Sequence, residues 1–267
     1  MKYRVVTWLS ALCMVFFLSC QTVPITGREQ LSLVSSEEIR TMSLDAYRDF
    51  LSKHEVIRGT PEAEQVKRVG RRIETAVERY FTDRNMSSRL RGYEWEFNLI
   101  KDPNENAWAM PGGKVAVYTG ILPITQGDEG LAVVMGHEIA HVVANHGSER
   151  MSQALLAQMG GAALGVALSN QPEQTQNLFA AAFGLGAQVG FLLPYSRIQE
   201  SEADHLGLIF MAMAGYDPHE AVDFWQRMAA QKEGGSTPEF LSTHPTSAKR
   251  IQNIRNLIPD AMKYYKR

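Results

Sequence analysis

Apolar residues recur at three- and four-residue spacing at Val66, Val69, Ile73, Val77 and Tyr80, behind the start signal Thr60-Pro61-Glu62, and this predicts an amphipathic helix. An earlier helix is predicted from Ser35-Ser36-Glu37-Glu38 to about Lys53, with a serine cap and acids in its first turn. The period then drops to two. Tyr93, Trp95, Phe97 and Leu99 alternate with Glu94, Glu96 and Asn98, as in a half-buried strand. After a loop, Pro111-Gly112-Gly113 reads as a turn and Lys114 to Thr119 as a second strand. Asp128 and Glu129 open a helix over about 127–145, with Gly147 placed to cap its end. Further helices are expected near 196–214, 217–232 and 246–257. The sum is a mostly helical α+β domain with a small β-sheet.

Two stretches depart from this patterning. Lys2 and Arg4 precede an apolar run from Val5 to Leu18, which fits a secretory signal core and falls short of the roughly 20 residues a spanning helix needs. Phe17-Leu18-Ser19-Cys20 resembles a bacterial lipobox with Phe17 where leucine is usual. The expected division is therefore a signal peptide over 1–19, a lipidated Cys20 with a turn-rich tether over 20–34, and one folded domain over 35–267. Gln21 after the cysteine suits sorting to an outer membrane, so the expected location is the periplasmic side of that membrane. Between Met151 and Leu193 the chain turns rich in Ala, Gly and Leu, and its most apolar piece, Leu178 to Leu193, is interrupted by Gln188. A helical hairpin with close packing is the expectation there.

Composition narrows the partners. The 267 residues are 45% hydrophobic and 21% charged, with net charge -2, so neither disorder nor a basic face for nucleic acid is indicated. Both cysteines, Cys13 and Cys20, fall at the start, which excludes a disulfide framework or a thiolate metal cluster in the domain.

His137-Glu138-Ile139-Ala140-His141 is an HExxH motif inside a predicted helix. Two histidines four residues apart lie on one helix face, so both imidazoles can reach one metal ion while Glu138 flanks it. Their apolar neighbours Leu131, Val133, Val134, Ile139, Val142 and Val143 place them near a core, where imidazoles need partners. A catalytic zinc site takes three protein ligands and leaves one position open. A third histidine at 147 after a glycine at 144 would supply one known set, but Gly147 and Ala144 stand there. A carboxylate from a second helix remains, offered by Glu200-Ser201-Glu202-Ala203-Asp204. Glu200 would bind the metal, with Asp204 one turn later accepting a hydrogen bond from a ligand imidazole, most simply that of His137. Glu202 competes for the ligand position but faces away from Glu200 on the helix. His146 reads as a polar group at a helix C-terminus.

The HExxH motif, the Glu200-x-x-x-Asp204 helix behind Tyr195-Ser196-Arg197, the segment Asn106-Ala107-Trp108-Ala109-Met110-Pro111-Gly112-Gly113, and Thr243-His244-Pro245 with Arg250 together resemble the 48th family of metallopeptidases. In layout the chain is most similar to that family's bacterial periplasmic lipoproteins. The resemblance implies a zincin-like fold, one Zn2+ per chain held by His137, His141 and Glu200, and Glu138 as general base. It places His244 near the metal, either as donor to the oxyanion or as a fourth ligand that keeps the site latent. Arg250 would fix substrate or the His244 loop, or be a surface charge. The 114–119 strand resembles the family's substrate-binding edge.

The expected function is a zinc endopeptidase of the cell envelope, acting on misfolded or unassembled envelope proteins and held to the membrane by its lipid. A zinc-bound assembly factor with latent proteolysis is the alternative.

Overall fold

The computed structural model describes residues 20–159, 196–233 and 238–266. Helix α1 (Ser36–Lys53) starts on the Ser35 hydroxyl, which accepts from the Glu38 N–H. Helix α2 (Pro61–Thr82) is capped by Thr60 and buries the expected stripe of Val66, Val69, Ile73, Val77 and Tyr80. Helix α3 (Asp128–Val143) carries the HExxH motif, α4 (His146–Met159) follows it, and α5 (Arg197–Met213) carries Glu200 and Asp204. Helices α6 (Glu220–Glu233) and α7 (Ala248–Ala261) close the domain. Among the described residues no helix is long and apolar enough to cross a membrane.

From Gly130 to Val143, α3 is buried on every side, the state expected of a helix apolar all round. It packs against α2, α5 and α6 and against the strand Ala107–Met110. At its end the structure differs from expectation. Asn145, not Gly147, adopts the left-handed backbone (φ 59°), and Gly147 lies inside α4. Asparagine tolerates that conformation through its short polar side chain.

Four strands form the main sheet: β3 (Val56–Ile57), β4 (Glu96–Ile100), β5 (Ala107–Met110) and β6 (Lys114–Tyr118), in the order β3-β4-β6-β5. β6 runs parallel to β4 and antiparallel to β5. The strand expected as the substrate-binding edge is therefore interior. The edge strand beside it is β5, in the segment read as a loop. Ala107-Trp108-Ala109-Met110 is buried on both faces and shows no polar alternation, so period two left no trace there, while Val115 to Val117 form the continuous apolar run of a central strand.

Residues 20–34, expected as a tether, are folded. Strands β1 (Cys20–Thr22) and β2 (Glu29–Leu31) pair antiparallel, with Cys20 opposite Leu31. Val23 is buried, Gln30 Nε2 donates to the Ala144 carbonyl at 2.7 Å, and the Leu33 N–H donates to Ser152 Oγ at 3.0 Å. This hairpin thus packs on the junction of α3 and α4. The expected signal peptide over 1–19 and the apolar stretch Leu178 to Leu193 lie outside the described residues.

Candidate metal centre

Local structure fixes each contributor before they meet. His137 and His141 sit one turn apart on α3. Glu200 stands in the first turn of α5, which begins with a reciprocal capping box between Ser196 and Gln199. A carboxylate there also gains from the helix dipole. The helical turn Phe240–Thr243 ends at His244, whose ring stacks on Phe240 with centroids 4.5 Å apart. Ser247 caps α7 and thereby directs Arg250 inward from its first turn.

These elements bring four donors to one point. His137, His141, Glu200 and His244 each offer an atom within 4.8 Å of the others, and all four residues are buried. His137 Nε2 lies 3.1 Å from His141 Nε2 and 3.2 Å from His244 Nδ1. Glu200 Oε1 is 3.3 Å from His141 Nε2 and 2.9 Å from His244 Nδ1. Around a tetrahedral zinc with bonds of 2.0–2.1 Å, donor atoms stand about 3.3 Å apart. The donor set fits. Imidazole nitrogens aimed at one another repel unless a proton or cation lies between them, and a zinc ion satisfies them together.

Glu138 is close by but outside this donor set. Its Oε1 is 3.2 Å from His244 Nε2. Burial pushes its carboxyl above the ordinary range, with His244 and His137 opposing. Burial works on Glu200 in the same direction, yet Arg250 and His244 outweigh it and hold that carboxyl well below the ordinary range. For His137, burial opposes the charge while Asp204 and Glu200 raise its imidazole to about 9. The His141 imidazole is driven well down by burial. These two histidines would therefore differ in their need to shed a proton before binding a metal.

Asp204 lies where the spacing placed it, with Oδ1 3.1 Å from His137 Nδ1. Arg250 is neither a surface charge nor a lone group. Its Nε and Nη2 donate to the two Asp204 oxygens at 3.0 and 2.8 Å, Nη1 lies 2.6 Å from Glu200 Oε2, and Nη1 donates to the Pro245 carbonyl at 3.1 Å. Its guanidinium carbon stands 3.7 Å from the Trp225 ring centroid. One buried cation thus holds both acids and the His244 loop. Trp225, which the sequence did not single out, forms with Phe240 the apolar wall against His137.

One residue was misread. His146 starts α4 rather than ending α3, and is fully buried. Its Nδ1 lies 2.9 Å from His141 Nδ1, and its Nε2 lies 3.0 Å from Glu202 Oε2. Glu202, the competing acid, lies outside the donor cluster, as its place on the helix implied. It faces Arg28 and Thr26 of the hairpin. The spacing of His146 from His141 was a signal, but its direction depended on the reversal at Asn145. Cys20, the expected lipidation site, is the first described residue and lies in β1.

The family model for peptidase family M48 matches residues 67–258, well over half of the chain. A mitochondrial metalloendopeptidase of Schizosaccharomyces pombe is 38% identical over 92% of this chain and 68% of its own length. The human mitochondrial metalloendopeptidase of the same name is 29% identical over 98% of this chain and 51% of its own length. A beta-barrel assembly-enhancing protease of Yersinia pestis is 31% identical over 61% of this chain and 34% of its own length. The chain thus spans only about half the length of several relatives it matches.

These relatives correct the expected location. Those from two yeasts, a plant, cattle and humans are named as mitochondrial, against a periplasmic, lipid-anchored protein of a bacterial outer membrane. A basic start and an apolar core mark a targeting segment by charge and length, and neither property encodes the destination.

Proposed function

This chain belongs to peptidase family M48 and is a metalloendopeptidase, and on that footing we propose that it cuts unfolded or misassembled protein segments with zinc held by His137, His141 and Glu200. The observation that carries the reading is the convergence of these three donors from α3 and α5 at tetrahedral spacing. Zinc in that position supplies a Lewis acid that acidifies water and polarises a peptide carbonyl. Glu138 takes the proton of the attacking water on its carboxylate and returns it to the leaving amine nitrogen. Its burial-raised affinity for protons suits both halves of that task. Asp204 orients His137, and Arg250 holds Glu200 and Asp204 in place.

The outer side of β5 offers the substrate a place. Among the described residues no strand pairs there, and β5 packs against α3. A peptide added as a further strand gains main-chain hydrogen bonds that do not depend on its side chains, which suits unfolded clients. The names of the yeast, plant and animal relatives support a mitochondrial setting, and that of the Yersinia protein supports a protease role in beta-barrel assembly.

One observation favours a second reading. His244 Nδ1 stands among the donors as a fourth, at 2.9 and 3.2 Å from its neighbours, so a closed site that binds clients while hydrolysis is latent is the alternative. Incubation of the purified chain with unfolded casein tests both. Internal cleavage lost with a chelator and restored by zinc supports the peptidase. Cleavage indifferent to the chelator overturns the zinc role, and client binding by a parent chain that does not cleave, with cleavage appearing in His244→Ala, selects the alternative.

A further inference from the structure

The acids and histidine that the zinc reading leaves unused form a continuous chain. Glu202 Oε1 accepts from Thr26 Oγ1 at 2.7 Å and from Arg28 Nε at 3.0 Å. Glu202 Oε2 accepts from Arg28 Nη2 at 3.0 Å and faces His146 Nε2 at 3.0 Å. Arg28 also donates from Nη1 and Nη2 to the two Glu149 oxygens at 2.7 and 2.8 Å, and Gln199 Nε2 donates to Glu149 at 2.7 Å. His146 then reaches His141 through the Nδ1–Nδ1 contact of 2.9 Å.

Proton bookkeeping along this chain has one consistent solution. His141 can ligate through Nε2 only if that nitrogen is bare, so its proton sits on Nδ1 and is donated to His146. His146 Nδ1 must then be the acceptor, which places its own proton on Nε2, aimed at Glu202. The reverse arrangement would put two bare acceptors face to face at Glu202, and a doubly protonated His146 would donate to His141 Nδ1 and force the His141 proton onto Nε2. Glu202, held as an anion by Arg28 and Thr26, thus selects the ligating tautomer of His141 through His146.

We propose that Arg28, Glu202 and His146 are positioning residues for the metal ligand His141, which makes the N-terminal hairpin a working part of the zinc centre. The claim rests on His141 being a zinc ligand, as read above. His137 has its orienting carboxylate directly in Asp204. His141 has one imidazole in between, and its last link lies on a separate element, β1–β2. A hairpin pulled from the α3–α4 junction would therefore loosen the metal as well as the fold.

Zinc dissociation constants, measured on the whole chain by chelator competition, test this. Orienting partners of metal ligands are each worth about 10- to 100-fold in affinity. His146→Ala and Glu202→Ala should each weaken zinc by that factor, and the double variant should be no weaker than the weaker single, because Glu202 acts through His146. Arg28→Ala should weaken it less, with part of the loss recovered in Arg28→Lys. Thr26→Val, which removes one donor and no charge, gives a smaller weakening in the same direction and serves if the larger changes do not fold. Histidine 15N spectra of the zinc-loaded chain should show His141 protonated at Nδ1 and His146 at Nε2. Variants that unfold more easily in chelator yet keep zinc within about twofold of the parent, or a His146 protonated at Nδ1, would overturn the positioning role. A parent chain that binds no zinc at all would instead remove the proposed function beneath it.

Discussion

A Cβ placed on Gly136 would meet the Gly207 carbonyl oxygen at 3.0 Å, and one placed on Gly207 would meet the His137 nitrogen at 3.0 Å. Helices α3 and α5 thus touch backbone to backbone beside His137. That approach lets an acid on α5 reach two imidazoles on α3. In an open helix Gly207→Ala would be stabilising by about 1 kcal/mol. Here the helices must part, so the variant should lose about 1–3 kcal/mol in chemical denaturation, as overpacked cores do. Its zinc affinity should fall as well, since Glu200 moves with α5.

Arg250→Met tests the buried cation. The change keeps bulk against Trp225 but leaves Glu200 and Asp204 buried without the guanidinium. Breaking a buried pair from one side costs about 3–5 kcal/mol, which denaturant unfolding in chelator should report. Zinc should recover part of that loss, because the ion offsets the charge of Glu200.

His244→Ala separates two roles. With His244 Nδ1 standing among the donors, its removal opens the fourth position, and casein cleavage should rise at unchanged zinc content. A fall of roughly 100-fold or more would assign His244 to the oxyanion instead.

Acid stability carries the signature of Glu202. Burial pushes its carboxyl up, but His146, Arg28 and Thr26 outweigh this and lower it from 4.5 to about 2. A carboxylate depressed by folding adds stability that is fully present above its ordinary value and is lost as pH falls towards the folded one. The metal-free chain should therefore lose unfolding temperature between pH 4.5 and about 2, and Glu202→Gln should flatten that slope. An unchanged slope in the variant would mean that Glu202 is not held as an anion.

The parts of this molecule that were legible from sequence are those whose geometry is local. Thr60 and the Val66–Tyr80 stripe define α2 within one helix, and His137 and His141 need only one turn to share a face. Asp204 follows Glu200 on the same logic. Ala107–Met110 was not legible, because a buried edge strand of four apolar residues has no alternation to read. His146 was misjudged, and the partners of Glu202 were not foreseen, for a different reason. Their meaning lies in contacts with Arg28, far along the chain, and in the left-handed turn at Asn145, where glycine at 147 was the stronger local signal. For Arg250 the sequence left substrate, the His244 loop and a surface charge equally open, and only the packing of α7 over Trp225 sets it against the loop.

The central claim is that Glu138 moves protons beside a zinc ion that it does not itself bind. Zinc content and casein cleavage, measured side by side for the parent chain and Glu138→Gln, test it most directly. One zinc per chain in both, with cleavage lower by roughly 10²- to 10⁴-fold in the variant, is the expected result. A variant that turns over like the parent, or a parent chain that cleaves without zinc, would contradict it.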